Sequence, residues 1–586
     1  MWKLLFRGTP AVLLPALLLL IPVSSRSQGQ AAGTTDSQPP LTIRVQTRLV
    51  LVDVVVTDNK GSRVTDLRPE DFTVQEKGKT QKVAFFSPPK SAAVSAAPQL
   101  GPGIYSNRPE FRSPGGPVTV ILLDAVNTPF KDQAYARQQM LQFLQEQLKP
   151  DTRMAVFTLT NSLRMLQDFT SDPKLLIDAL KNYQPKQEEM PAAGPPAVSA
   201  RQGAGDLGHA QESLVNQVHD FQNAQVAYQL DRRVGLTLQA MRALGRMLGG
   251  LPGRKNIIWV TAAFPFSLIP EDRNLSEEEL AESLPVNTQM DVVTRASGSI
   301  AATQRQSNAQ EIREVAASLA SSQIAIYPVD ARGLVSGSEA TFADLPSRRS
   351  EGMAEITLAR LSDVSASQET MKEMARETGG KAYVNQNEIK QGAALAISDN
   401  SSSYTLGYYP EDKKWNGKYR SIKVKVNRDG LDVRYRRGYY AIAPGESNGG
   451  GSKDKGEAEM VAEALQDRAP DTQVTFSAQV KPAGKDKLGI DFLVDPHTIA
   501  AEDGSGGAKK LNVVFYATLY SADGRLLANQ SMKVDQVFPD ATYRQLLQQG
   551  MLLHLDLDSK PGSGEIRLAV RDNQTGYIGT LVIPQN

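Results

Sequence analysis

The chain has no cysteine and only four histidines, His209, His219, His497 and His554. That excludes disulfide staples, thiol nucleophiles and thiolate metal sites, and the histidines are not spaced as a helical metal-ligand pair. Stability must then come from burial, which suits large domains. Charge of one sign is also missing: 65 Lys and Arg face 64 Asp and Glu. A nucleic-acid partner is not expected, because such binding draws on a basic excess. After residue 23 no apolar run is long enough to cross a bilayer, which takes about 20 residues. Common enzyme signatures are absent too. No G-x-S-x-G stands before a predicted helix as a nucleophile elbow would, and there is no phosphate loop and no H-E-x-x-H helix.

What is present begins with a leader. Lys3 and Arg7 precede an apolar run, Ala11–Val23, and then Ser24, Ser25 and Ser27. That layout predicts a secretory signal over residues 1–27 and hence an exported, periplasmic or extracellular protein. The alternative is an uncleaved membrane anchor. A polar tether follows over 28–40.

At 586 residues the chain predicts three or four domains. Residues 41–89 alternate and are rich in β-branched side chains, as an N-terminal β unit would be. A Pro/Ser/Ala/Gly linker is expected over 90–116. Buried strands then alternate with helices: VTVILLD at 118–124, MAVFTLT at 154–160, NIIWVT at 256–261 and IAIYPV at 324–329, with 163–169 as a further candidate and a last short strand at 381–384. The pattern predicts an α/β domain over 117–401, its mostly parallel sheet doubly wound by helices. Residues 184–230, rich in Gln, Ala, Gly and Pro, read as a surface insertion. Residues 402–443 turn β again, and with 41–89 they are expected to form one sandwich, since neither piece has enough strands alone. A linker over 444–470 and a C-terminal β-sandwich over 471–586 complete the order.

In such a sheet ligands bind at the carboxyl ends of the strands. Asp124, Asn127 and Thr128 follow the first strand, Thr237 lies ahead of a later helix and strand, and Ala262 follows NIIWVT. These positions resemble the von Willebrand factor type A (VWA) family, in which a DxSxS motif, a loop Thr and a later Asp hold a divalent cation, often Mg²⁺. The resemblance extends to LPGRKNIIW at 251–259, AIYPVDARG at 325–333, ETGG at 377–380, and the Tyr408-Tyr409-Pro410 and Arg437–Tyr440 stretches. Together with the opening β unit these look like a subgroup of secreted bacterial VWA-related proteins. The resemblance implies a VWA-like fold flanked by all-β domains, and an eroded metal site of Asp124, Thr128 and Thr237. Val126 replaces the first Ser and Ala262 the later Asp, so any Mg²⁺ would be held weakly. Asn127 could offer an amide oxygen, and Asp330 and Arg332 would share the ligand face or pair with each other.

Two functions are set against each other. One is non-catalytic protein–protein interaction or adhesion by the α/β domain. The other is an enzyme with its site in the C-terminal or interdomain region, with Asp495 and His497 as candidates. A structural cell-envelope component is a third reading.

Overall fold

The structure is a computed structural model. It describes residues 49–89, 100–112, 117–148, 152–184, 229, 232–262, 311–333, 353–386, 389–441, 453–466, 469–484 and 486–585. All belong to one compact unit, Gln46–Asn586. The expected leader and tether, and nearly all of the insertion 184–230, lie outside the described residues.

The opening segment forms β1 (Val50–Asp58), β2 (Phe72–Glu76), β3 (Lys79–Gln81) and β4 (Val83–Ser87), and a short β5 (Ile104–Ser106) follows. The α/β segment contributes β6 (Val118–Asp124), β7 (Arg153–Leu159), β8 (Leu163–Thr170), β9 (Lys255–Thr261) and β10 (Ile324–Asp330). Next come β11 (Tyr404–Tyr408), β12 (Tyr419–Val426), β13 (Leu431–Arg434) and β14 (Gly438–Tyr440). The C-terminal part holds β15 (Phe476–Pro482), β16 (Lys487–Val494), β17 (Glu502–Asp503), β18 (Lys509–Ser521), β19 (Leu526–Phe538), β20 (Met551–Asp558), β21 (Ser563–Asp572) and β22 (Ile578–Pro584).

The central sheet runs β10-β9-β6-β7-β8. The pairs β10/β9, β9/β6 and β6/β7 are parallel, whereas β8 is an antiparallel edge strand. Every residue of β6, β7, β9 and β10 is buried, as a sheet covered on both faces requires. Alternate residues of β6 feed two cores. Val120 and Leu122 pack with Trp259 and the helices 232–249 and 311–321. Ile121 and Leu123 pack with the helices Phe130–Glu146, Pro173–Asn182 and Ile389–Ser401.

The β segments on either side of this sheet's sequence pair with one another. β1 lies between β11 and β13, with Val52 opposite Leu406 and Val56 opposite Val433. β2 pairs with β12, Val74 opposite Val424. Valines of β1, Phe72, Tyr404, Tyr408 and Ile422 form one core. At its edge the buried Glu76 accepts from Tyr408 at 2.8 Å, Tyr439 at 2.9 Å and Arg420 at 3.3 Å.

Several sequence motifs meet at the amino ends of the parallel strands, opposite the expected ligand end. Arg254 donates to Tyr327 Oη at 2.9 Å and to the Gly379 carbonyl at 2.7 Å. Tyr327 donates to Asp399 Oδ2 at 3.0 Å, and Arg434 and Arg63 close on the same carboxylate. A Cβ on Gly380 would lie 1.9 Å from the Ile326 carbonyl oxygen, so only glycine fits there. These contacts tie the sheet to the flanking β unit.

Four expectations need correction. The stretch 90–116 is not all linker: β5 adds to β15 at the edge of a C-terminal sheet. The fully buried Asn107 bonds the Asp471 and Val474 carbonyls at 2.8 and 2.9 Å and accepts from Phe476 N at 2.7 Å. The stretch 444–470 contains the helix Lys453–Gln466, whose Val461, Ala464 and Leu465 pack on Ala569 and Ile578. Lys381–Val384 is no strand, only a bridge from Tyr383 to Val329. Thr237 does not lie ahead of the helix 232–249 but inside it, where its hydroxyl donates to the Arg233 carbonyl at 2.8 Å.

The C-terminal part is two antiparallel sheets around one core. Their orders are β20-β16-β15-β5 and β17-β18-β21-β22, with β19 on the other side of β18. It joins the central sheet through the end of the helix 232–249. Thr472 Oγ1 donates to the Met247 carbonyl at 2.7 Å and accepts from Gly250 N at 3.0 Å, capping that helix from another part of the chain. Among the described residues no helix is long and apolar enough to cross a membrane.

Candidate functional site

The carboxyl end of the central sheet brings Asp124, Asn127 and Thr237 together. Asp124 closes β6 and is 2% exposed, and Asn127 and Thr237 are fully buried. Asp124 Oδ1 accepts from Val126 N at 3.1 Å and Asn127 N at 3.0 Å, a tight turn built on one carboxylate oxygen. Its Oδ2 accepts from Asn127 Nδ2 at 2.8 Å and from the Trp259 indole at 3.0 Å. Burial pushes the Asp124 carboxyl above its usual range, opposed by hydrogen bonds from Asn127, Trp259 and Thr261.

The Asn127 amide decides the chemistry here. Its Nδ2 lies 2.8 Å from Asp124 Oδ2 and 2.8 Å from Thr237 Oγ1. Those two oxygens belong to the metal set that the family resemblance implied. An amide NH₂ offers two protons, and here both are spent on the groups a cation would use. Arg233 Nε, 3.2 Å from Asn127 Oδ1, fixes which end of the amide faces the carboxylate. A carboxylate has about four lone-pair sites, and four N–H donors already meet those of Asp124.

The third expected ligand, Thr128, is engaged elsewhere: its Oγ1 accepts from Ala262 N at 3.1 Å. That contact clamps the end of β9 to the loop after β6. Gln133 reinforces the loop by donating to the Thr128 carbonyl at 2.8 Å. The donor set therefore does not fit a hard divalent cation, which needs oxygens left free to coordinate. Among the described residues, no group of three or more His, Asp or Glu side chains is arranged to hold a metal ion.

Asp330 and Arg332, expected on the same face, pair with each other. Asp330 accepts from Arg332 Nε at 2.9 Å and Nη2 at 2.8 Å, and from Gln368 Nε2 at 3.0 Å. In the C-terminal part, Asp495 accepts from His497 N at 3.0 Å and meets its ring Nδ1 at 2.9 Å. Asp495 there caps the short helix Pro496–Thr498.

Sequence reasoning missed Arg233 and Trp259. Trp259 lies inside a buried strand, where its indole N–H needs a partner, and the carboxylate at the end of the neighbouring β6 supplies one. Arg233 lies four residues before Thr237, one helical turn away, and that spacing was the available signal. Burial lowers the Arg233 guanidinium from its ordinary value, with the Asp124 charge opposing.

No family model matches the chain, and no curated protein matches it. Among solved structures, an aerotolerance-related membrane protein from Bacteroides fragilis, carrying multiple mutations to serines, is 12% identical. The match covers 48% of this chain and 99% of that one, with a TM-score of 0.22. The conserved hypothetical protein BatB from Bacteroides thetaiotaomicron is 13% identical over 49% of this chain and 99% of its own, with a TM-score of 0.21. An endonuclease/exonuclease/phosphatase from Beutenbergia cavernae reaches 10% identity and a TM-score of 0.12 over 32% of this chain and 39% of its own. Matches at these scores carry no argument about what the chain is or does.

Proposed function

We propose that the chain is an exported VWA-like interaction protein. It presents the carboxyl end of its central sheet to a protein partner without a bound cation and performs no chemistry of its own. The observation that carries this reading is the Asn127 amide, which bridges Asp124 and Thr237 at 2.8 Å on each side. Metal-dependent adhesion needs an ion that a partner's carboxylate completes. Here side-chain donors satisfy the same oxygens in advance, so the surface is built before a partner arrives. The flanking β strands and the docked C-terminal sheets hold that surface in a fixed frame. The leader expected over residues 1–27 supports an interaction outside the cytoplasm, in the periplasm or beyond.

Calorimetric titration of the full chain with Mg²⁺, Mn²⁺ and Ca²⁺ tests this. The native protein is expected to give no saturable heat. The double variant Val126→Ser/Asn127→Ala, which takes one of the two donors off Asp124 Oδ2 and restores a hydroxyl ligand, is expected to gain weak Mg²⁺ binding. Saturable binding by the native chain, lost in Asp124→Asn, would overturn the reading.

A further inference from the structure

We propose that Arg233 is the receptor for a carboxylate on the partner, so that an acidic side chain docks at the strand ends on a fixed guanidinium. The inference rests on the metal-free reading above and names the chemistry of its ligand.

A guanidinium has five N–H donors in a rigid fork. Arg233 spends Nε on Asn127 Oδ1 at 3.2 Å, and among the described residues its Nη atoms meet no protein acceptor. The side chain is half-buried, so its charge has been taken partly out of water without a paired carboxylate. Asp124 is the nearby anion, but the Asn127 amide stands between the two and uses the carboxylate's own acceptor positions. A half-buried, hydrogen-bonded cation with donors left over is an incomplete arrangement. The group that completes it is a planar oxyanion able to take two parallel N–H bonds, which a carboxylate does.

The surroundings favour the same ligand. Arg232, on the same helix, donates to Asn161 Oδ1 at 3.2 Å in the turn between β7 and β8, which fixes the helix start over the sheet. Lys131, in the first turn of the helix Phe130–Glu146, and Arg164, at the start of β8, are both exposed. Of the described acids at this end, Asp124 and Asp330 are buried and already bonded, and Asp132 stands half-buried beside the charges of Lys131 and Arg332. The strand ends therefore offer positive charge to an approaching acidic partner, which speeds encounter and selects against basic ones. The rigid mounting matters as well. Arg233 is held through Asn127 to Asp124, and Asp124 through Trp259 to the next strand, so little side-chain entropy remains to be lost on binding.

The test uses the full chain labelled with ¹⁵N-arginine. The Arg233 Nε–Hε resonance is assigned by its loss in Arg233→Gln. N-acetylglutamate methylamide is titrated against N-acetylglutamine methylamide as the uncharged control, with and without Mg²⁺. The glutamate probe is expected to shift the Arg233 signal saturably in the millimolar range, and the glutamine probe is not. Read on the remaining arginine signals, Arg232 among them, Arg233→Gln is expected to weaken the response to glutamate at least tenfold, and Arg233→Lys, which keeps the charge but not the fork, by less. An equal response to both probes, or undiminished affinity in Arg233→Gln, overturns the assignment of Arg233 while leaving the metal-free reading standing. Glutamate binding that appears only after Mg²⁺ is added overturns the metal-free reading itself.

Discussion

Lys255 provides a quantitative test of how the central sheet is assembled. It opens β9 inside the motif Arg254-Lys255-Asn256, is 2% exposed, and donates to the Leu251 carbonyl at 2.8 Å. Burial lowers its ammonium from 10.5 to about 8, with Asp53 opposing. At neutral pH both the folded and the unfolded chain carry the proton, so folding bears the full penalty of burying that charge. Between about 8 and 10.5 the unfolded chain holds a proton that the folded chain has released, and stability rises with pH across that window. The gap between the two values corresponds to roughly 3 kcal/mol. Lys255→Met removes the charge, keeps most of the volume, and gives up one hydrogen bond to the Leu251 carbonyl, about 1 kcal/mol. The variant should therefore be more stable than the native chain at pH 7 by about 2 kcal/mol, and the advantage should shrink steadily as pH approaches 10. Urea midpoints of both proteins at half-unit steps from pH 7 to pH 9.5 measure it. A difference that does not change with pH, or a variant less stable at pH 7, would refute the assignment of a buried charge to this position.

Two further substitutions probe the contacts that set the frame. Trp259→Phe keeps the ring in its core but removes the donor to Asp124 Oδ2 at 3.0 Å, and should cost about 1–3 kcal/mol in chemical denaturation. A loss no larger than that of an ordinary buried conservative change would mean the indole contact is not needed to hold the site. Gly250→Ala would put a Cβ 1.8 Å from the Thr472 carbonyl oxygen, backbone that cannot step aside. It should loosen the seat of the C-terminal sheets on the helix 232–249 and expose their junction to limited proteolysis, and an unchanged digestion pattern would argue against that docking.

The legibility of this chain divides along physical lines. The strands of the central sheet were readable because both faces are covered, so each appears as an unbroken apolar run: Val118–Asp124 and Ile324–Asp330 announce themselves. β12 was readable for the opposite reason, its alternation of exposed and buried residues. β5 was not, because three residues carry no period, and what makes them a strand is the open edge of β15. The helix Lys453–Gln466 hid in a stretch whose Gly, Ser and Lys content reads as linker, and its apolar face acquires meaning only against Ala569 and Ile578.

The candidate site shows the same boundary. The sequence alone placed Asp124, Asn127 and Thr128 at a sheet's carboxyl end, since a buried strand ending on an acid is a local signal, whereas Thr237 was singled out only through the family resemblance. Its resemblance to the VWA family implied an eroded ligand set, with Val126 and Ala262 at two positions where that family has coordinating side chains. It could not tell what fills the gap. Whether Asn127 offers its oxygen or its nitrogen depends on a neighbour 106 residues away, Arg233, whose Nε fixes the amide's direction. Whether Asp124 is free to bind anything depends on Trp259, on an adjacent strand. Hydrogen-bond donors and acceptors are properties of single residues, and so are written in the sequence. Which of them remain unspent is a property of the packed whole, and only the tertiary structure decides it.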